Sequence, residues 1–304
     1  MRAAARFLAW QIRFACENNE HDKIMRAWHR LNMITEYLKK DTFLMSFLVL
    51  VSVEDIRLDA LERVLSSGIL SDNELSVIQQ YLRDSAAGIP EINRNALYFE
   101  TVVINDALCA VADGSLSDDT MQIGSEGLKH YRFLLPGIWY WVNCNYLDYL
   151  LRTNVRNLCG TTYPVDDRSP WNVVSSMVMP AFNGAGEMMH NLEMRYQAFV
   201  VLIEAEKIRR KTGKYPEKVP LNIIDHFSGE LLHYKLGNHE VREASLCYDD
   251  FLSEWYVNYR TKNICGIAVW SVGRNKADDY GLCRTSDKNG KNTDDQRALI
   301  TISQ

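Results

Sequence analysis

The sequence predicts an α+β fold that is predominantly α, with antiparallel helical hairpins followed by a long helix packed on a small antiparallel β-sheet. Three observations support this prediction. Apolar residues recur at helical spacing up to about residue 155. A further helical pattern runs from Pro180 to Lys211, and strand-like runs separated by glycine, asparagine and aspartate turns follow Gly213. We therefore predict an all-helical domain over residues 1–179, and a long helix with a small β module over residues 180–304.

Helical periodicity predicts three helices before the first strong stop signal. The first begins near the N-terminus and ends at Glu17–Glu20. The second runs from about Asp22 to Lys39, and the third from about Asp41 to Ser66, where Gly68 is a typical C-terminal stop. The apolar stripe of the first helix consists of Phe7, Leu8, Ile12, Phe14 and Ala15.

A capping box predicts the start of the fourth helix, because Ser71 and Glu74 stand three residues apart before an apolar run. The segment Ala87–Pro90 predicts a break in that helix, since proline lacks the amide hydrogen that a helix interior needs. Another helix is expected from about Asn93 to Ala112. Further along, the sequence predicts a weaker helical segment (Asp118–His130), an aromatic core helix (Leu134–Leu151) and a loop (Leu158–Trp171).

Composition and charge exclude some functional classes. With 304 residues, a net charge of −5 and a pI near 5.8, the chain lacks the concentrated basic face expected of a nucleic-acid-binding protein. The most apolar run, Phe43–Val53, is far shorter than the roughly 20 residues of a membrane-spanning helix. Met1–Leu8 starts like a signal peptide, but Gln11 and Arg13 interrupt the apolar region, and an anchor segment upstream is equally compatible.

The seven cysteines show no C-x-x-C pair and no zinc-finger spacing. Cys247, Cys265 and Cys283 fall in the β module, where two of them could form a disulfide in an oxidising compartment. The cysteine pattern does not indicate whether the protein's compartment is oxidising or reducing.

Acidic residues near the C-terminus are the candidate metal ligands. Calcium prefers six to eight oxygen ligands on flexible backbone, and clustered carboxylates would gain from a cation that relieves their repulsion. The alternative is a solvated polar loop without a metal. The candidate ligands are Asn275, Asp278, Asp279, Asp294 and Asp295.

Catalytic motifs are not evident in the sequence. Glu187 and His190 form one E-x-x-H step, but a di-iron bundle needs a second such helix, so His190 is interpreted as a structural histidine. The same interpretation is given to His226, His233 and His239. Serine-hydrolase, metalloprotease, P-loop and dinucleotide motifs are missing. An enzyme with dispersed carboxylates that acts on glycans remains an alternative, since glycosidase acids have no fixed local spacing.

The last third of the chain resembles the C-terminal half of type II secretion pseudopilins. The resemblance rests on an ordered set of motifs: Thr212–Pro216, Asp225–Gly229, Ser271–Asn275, Asp278–Asp279 and Asp294–Asp295. In that family a helix exits through a Tyr-Pro turn, a small antiparallel sheet packs on it, and a late acidic loop binds calcium. Lys276, Tyr280 and Gln296 depart from the family pattern, and the long helix here is internal, so the resemblance does not extend to filament assembly.

The whole chain is also similar to an uncharacterised family of bacterial envelope-associated proteins. The similarity consists of a helical N-terminal region, a Gly-x-Tyr-Pro helix exit and a Ser-x-Gly plus Asp-Asp ending. It implies a non-catalytic envelope protein that binds an unidentified protein partner, with calcium as the possible cofactor. A cytoplasmic adaptor built from tetratricopeptide-like helical repeats is a further alternative.

Overall fold

The structure is a computed structural model that describes residues 1–112, 173–249, 254–273, 285–286, 292–293 and 296–301. Its helices are α1 (Arg2–Glu17), α2 (His21–Lys39), α3 (Leu44–Ser67), α4 (Asp72–Ala112) and α5 (Val173–Thr212). Its strands are β1 (His233–Asp249), β2 (Glu254–Ser271), β3 (Thr285–Ser286), β4 (Asn292–Thr293) and β5 (Gln296–Thr301). This predominantly helical α+β architecture confirms the predicted fold class.

The chain divides into two compact units, and each is assembled from separated segments. The first unit comprises residues 1–35, 52–87 and 190–304, and the second comprises residues 36–51 and 88–189. The sequence instead predicts one boundary along the chain, between residues 179 and 180, and this boundary stays a prediction. The site described below lies entirely within the first unit.

The start of α4 is the capping box predicted from the sequence. The amide of Glu74 donates to the hydroxyl of Ser71 at 3.3 Å, and the amide of Ser71 donates to the Glu74 carboxylate at 2.8 Å. His21 of α2 adds a contact of 3.0 Å between its Nε2 and the other Glu74 oxygen. These bonds satisfy donors that an uncapped helix would leave without partners.

The predicted break at Ala87–Pro90 is wrong, because α4 continues through Pro90. A proline inside a helix removes one hydrogen bond and costs about 3 kcal/mol. On either side of it, the apolar residues Ile89, Ala96 and Leu97 are buried. Burial of such side chains yields about 1.5–3 kcal/mol each for the larger ones, which is enough to outweigh the local penalty.

Helix α5 begins at Val173, earlier than the predicted start at Pro180, and it is not amphipathic in its C-terminal half. Every residue from Ala198 to Ile203 is buried, so the helix has protein on all sides there. The helical spacing within Pro180–Lys211 predicts a single apolar face, formed by Ala185, Met189, Leu192, Tyr196, Phe199 and Ile203. It missed the second one because a continuous apolar run has no helical periodicity to reveal which sides are covered.

Helix α5 is tied to α3 and α4 within the first unit. The buried Gln79 side chain of α4 donates to the carbonyl of Val200 and to the carboxylate of Glu204, both at 3.0 Å. Arg195 donates to Asp55 of α3 at 2.9 Å and also to Asp59. The Gln79 bonds matter more for stability, because exposed ion pairs contribute little while a buried polar group needs its partners.

A fully buried arginine lies between these helices. The Arg57 Nε atom donates to Glu54 at 2.6 Å, and its Nη1 atom donates to the Asn32 side chain at 2.9 Å. The guanidinium also lies over the rings of Tyr81 and Tyr196, at 4.6 and 5.9 Å from their centroids. Burial removes the guanidinium from water, which costs hydration energy. The Glu54 carboxylate and the faces of the two tyrosine rings offset this cost.

The β module is a three-stranded antiparallel sheet in the order β1-β2-β5, with a separate β3-β4 pair. Strands β1 and β2 pair from His233 opposite Trp270 to Asp249 opposite Glu254. Both long strands lie after Gly213, where the sequence predicts strand-like runs separated by turns. Residues 267–272, at the end of β2 and just after it, are all buried. Buried and exposed residues do not alternate here, as expected when both faces of a strand are covered.

Several predictions lie outside the described residues. They concern the segments Asp118–His130, Leu134–Leu151 and Leu158–Trp171. Cys265 carries a free thiol, and the disulfide prediction otherwise concerns side chains outside the described residues. Among the described helices, none combines the length and apolar character needed to cross a membrane, as predicted.

Candidate metal site

The turn that follows α5 is held by one buried carboxylate. Asp225 accepts hydrogen bonds from the Phe227 amide at 2.9 Å, the Ser271 hydroxyl at 2.8 Å and the Val272 amide at 3.0 Å. The Gly229 amide closes the turn on the Asp225 carbonyl at 2.8 Å, with a positive φ of 77° that favours glycine. The carboxylate thereby fixes the turn to the end of β2.

The same turn is fixed to helix α5. Met194, Phe227 and Val272 form one buried apolar cluster, and the His226 amide donates to the Met194 sulfur at 3.4 Å. Because His226 stands between the anchored residues Asp225 and Phe227, its side chain leaves the turn at a defined place beside the helix.

Three potential metal ligands converge there. His190 and Glu193 are three residues apart on α5, which places them on one face of the helix. His226 faces them from the turn. The His190 Nδ1 atom is 3.9 Å from one Glu193 oxygen, and the His226 Nε2 atom is 3.6 Å from the other. One ligand atom from each of the three residues lies within 4.8 Å of the others. We call this group the histidine–glutamate cluster.

The cluster is buried on the helix side and open on the turn side. The side chains of His190 and Glu193 are each 13% exposed, whereas that of His226 is 45% exposed. The His190 Nδ1 atom is buried and has no hydrogen-bond partner within the part of the chain that the structure describes. A buried nitrogen without a partner carries a desolvation cost of about 1–3 kcal/mol, so this atom calls for an explanation.

Burial sets the protonation of the cluster. Desolvation, reinforced by the charge of His226, lowers the pKa of His190 to about 4. Desolvation also raises the pKa of Glu193, although the neighbouring His226 opposes this shift. At neutral pH the His190 imidazole is therefore uncharged and has a lone pair available, which is the form that binds metals.

The spacing of the three ligand atoms can be compared with that of a three-ligand zinc site. Zinc binds histidine nitrogen at about 2.0–2.1 Å and carboxylate oxygen at about 2.0–2.2 Å, so ligand atoms around a tetrahedral ion lie about 3.4 Å apart. The 3.9 and 3.6 Å distances run to different Glu193 oxygens. The three ligand atoms lie within 4.8 Å of one another, so they would have to move closer together to bind one ion.

Sequence reasoning did not find this cluster. It considered the step from Glu187 to His190, whereas the structure pairs His190 with Glu193, and it interpreted His226 as structural. The H-x-x-E spacing at residues 190–193 was a usable signal, but nothing local connects it with a histidine more than thirty residues later. By contrast, His239 fits the structural interpretation, since its ring contacts the Gly266 carbonyl at 3.2 Å between β1 and β2.

The calcium ligands predicted from the sequence are not among the described residues. They are Asn275, Asp278, Asp279, Asp294 and Asp295, and the calcium hypothesis stays a prediction. The described part of the Ser-x-Gly motif is engaged elsewhere. The Ser271 hydroxyl donates to Asp225 and accepts a bond from the Gly273 amide at 3.3 Å.

Comparison with protein-family models, curated proteins and solved structures finds no match for this chain. The resemblance to pseudopilins and to envelope-associated proteins therefore also stays a prediction.

Proposed function

We propose that this protein is a non-catalytic cell-envelope protein that binds a transition-metal ion of the zinc class at the histidine–glutamate cluster. The observation that carries the metal assignment is the convergence of His190, Glu193 and His226 around a buried nitrogen that lacks a hydrogen-bond partner among the described residues. The envelope location and the absence of catalysis rest on the sequence resemblance.

The donor set favours zinc-like ions over calcium. Imidazole nitrogen suits zinc, copper, nickel and iron, whereas calcium and magnesium require oxygen ligands. Two histidines and one glutamate also leave at least one coordination position for water or for a ligand from a partner. The exposed side of His226 supplies the route by which an ion could enter.

Isothermal titration of the purified chain with Zn²⁺ tests the proposal. We expect one zinc ion per chain for the wild type, and at least tenfold weaker binding for Glu193→Gln and for His226→Gln, because each removes a ligand. Zinc should also raise the unfolding temperature, since an ion bound only by the folded state stabilises it by about 2.7 kcal/mol at 100 times its dissociation constant.

Two control variants make the result specific. His29→Gln replaces an exposed histidine on α2 and should leave zinc affinity unchanged. Asp278→Ala removes a candidate calcium ligand and should leave it unchanged as well. Zinc binding that survives both cluster substitutions, or wild-type protein that does not bind zinc, would refute the proposal.

A further inference from the structure

Helix α1 has a buried face and an exposed face of unusual composition. Its buried face consists of Ala5, Leu8, Ile12 and Ala15. On the other side, Phe7, Trp10 and Phe14 are 64%, 72% and 58% exposed. Their spacing of three and four residues aligns them in one row along the helix, which we call the aromatic stripe.

A row of arginines runs beside the aromatic stripe. Arg2, Arg6 and Arg13 are four and seven residues apart, a spacing that again places them on one side of a helix, and all three are exposed. Arg13 makes a 3.3 Å ion pair with Glu17, but both side chains are more than half exposed, so water screens this pair. We call the three residues the arginine stripe.

We propose that α1 docks on the surface of an anionic phospholipid bilayer, with the aromatic stripe entering the interface and the arginine stripe contacting lipid phosphates. An amphipathic helix lies in the plane of a membrane when Trp and Phe occupy one face and basic residues the polar side, with the apolar face some 5–10 Å deep. Tryptophan in particular prefers the interfacial depth.

The charge distribution favours an anionic lipid surface as the occupant. The chain as a whole carries a net charge of −5, so long-range electrostatics would repel it from such a surface. Within α1, three arginines stand against the single acidic residue Glu17. Each basic residue near an anionic membrane contributes about fivefold to binding. Helix α1 therefore has a net positive charge, opposite in sign to that of the whole chain, and would face the lipid.

Single exposed apolar residues are common on soluble proteins and require no explanation. The aromatic stripe is a different case. Its three residues are spaced three and four apart, so they line up on the helix beside the arginine stripe, and both stripes are exposed to solvent. The proposed metal site and this surface involve different residues, so each can fail without the other.

Vesicle flotation tests the proposal directly. We expect the full chain to float with vesicles of phosphatidylglycerol and phosphatidylcholine, and not with pure phosphatidylcholine. The double variant Trp10→Ser, Phe14→Ser should bind at least tenfold more weakly, because it removes the apolar anchors. Arg6→Ser with Arg13→Ser should weaken binding by about fivefold per arginine, and raising the salt concentration should mimic this loss.

Matched controls come from other exposed positions. Tyr98→Ser replaces an aromatic residue that is 65% exposed on α4, and Arg26→Ser with Arg30→Ser removes two exposed arginines on α2. Both should float like the wild type. Flotation that is absent, or equal for the wild type and the α1 variants, overturns the proposal. So does a wild-type chain that stays off vesicles and instead forms a dimer or binds an acidic protein through α1.

Discussion

Asp225 and Arg57 are buried charges of opposite sign, and each organises a different part of the first unit. Asp225 uses both carboxylate oxygens to hold the 225–229 turn against the end of β2. Arg57 joins α3 to α2 through Asn32. Hydrophobic periodicity does not predict either role. It places charged residues on the surface, and it contains no information about a partner far away in the sequence.

We expect Asp225→Ala to destabilise the protein by about 3 kcal/mol or more. The substitution deprives the buried Val272 amide, the Phe227 amide and the Ser271 hydroxyl of their common acceptor, and bonds to a charged group contribute about 1.5–3 kcal/mol each. Urea unfolding measures the loss. Ser271→Ala removes one of these bonds together with the longer bond from the Gly273 amide, and should cost about 1.5–2 kcal/mol, less than Asp225→Ala. Equal losses for the two variants would contradict the assignment of Asp225 as the shared acceptor.

For Arg57 the expected outcome depends on whether its partner is also replaced. Arg57→Ala leaves the Glu54 carboxylate buried without its cation and should cost about 3–5 kcal/mol. The double substitution Glu54→Leu, Arg57→Met removes both charges and should recover most of that loss. The comparison is made by chemical denaturation of both variants and the wild type. If the double variant were as unstable as the single one, the pair itself would be the source of stability.

At the scale of elements, the sequence predicted helix boundaries well where a local signal marks the start or the end of a helix. The capping box at Ser71 and the glycine at Gly68, whose φ is 70°, were correctly predicted as a helix start and a helix stop. The prediction failed at Pro90 and in the second half of α5, where burial against other elements decides the outcome. The histidine–glutamate cluster belongs to this second class, because it needs the contact between α5 and the 225–229 turn.

The exit of α5 is an ionic cap that should respond to acid. Glu206 is 1% exposed and accepts hydrogen bonds from Arg209 at 2.6 Å and from Arg210 at 2.9 Å. The Tyr215 hydroxyl of the Tyr-Pro turn donates to it at 2.9 Å. Desolvation opposes ionisation, but these bonds prevail and lower the pKa of Glu206 below its usual 4.5. The folded protein therefore binds fewer protons at this site than the unfolded chain does.

It follows that the stabilisation from Glu206 is complete above about pH 4.5 and is lost as the pH falls through the lowered pKa. We expect Glu206→Gln to be less stable than the wild type at pH 7 and the difference to shrink on acidification to pH 3. Urea unfolding across this pH range measures both curves. Glu217→Gln, at an exposed position of the same turn, should follow the wild type. A pH-independent difference would show that the charge of Glu206 is not what stabilises the exit.

At the scale of the whole molecule, both proposed binding sites lie in the first unit. Its 225–229 turn and α5 form a candidate ion site, and its first helix presents a surface suited to anionic lipid. The sequence predicted the α+β class, and it also indicated the C-terminal acidic residues as candidate calcium ligands, which stays a prediction. Composition locates acidic loops, whereas a site built from one helix and one turn depends on tertiary contacts.

The central claim is that the histidine–glutamate cluster binds a zinc-class ion. Crystals grown with Zn²⁺ and measured at the zinc absorption edge test it most directly. The account predicts an anomalous peak about 2.0–2.2 Å from His190 Nδ1, a Glu193 oxygen and His226 Nε2. An empty cluster in such crystals, with zinc absent or held only by the C-terminal acidic residues, would contradict it.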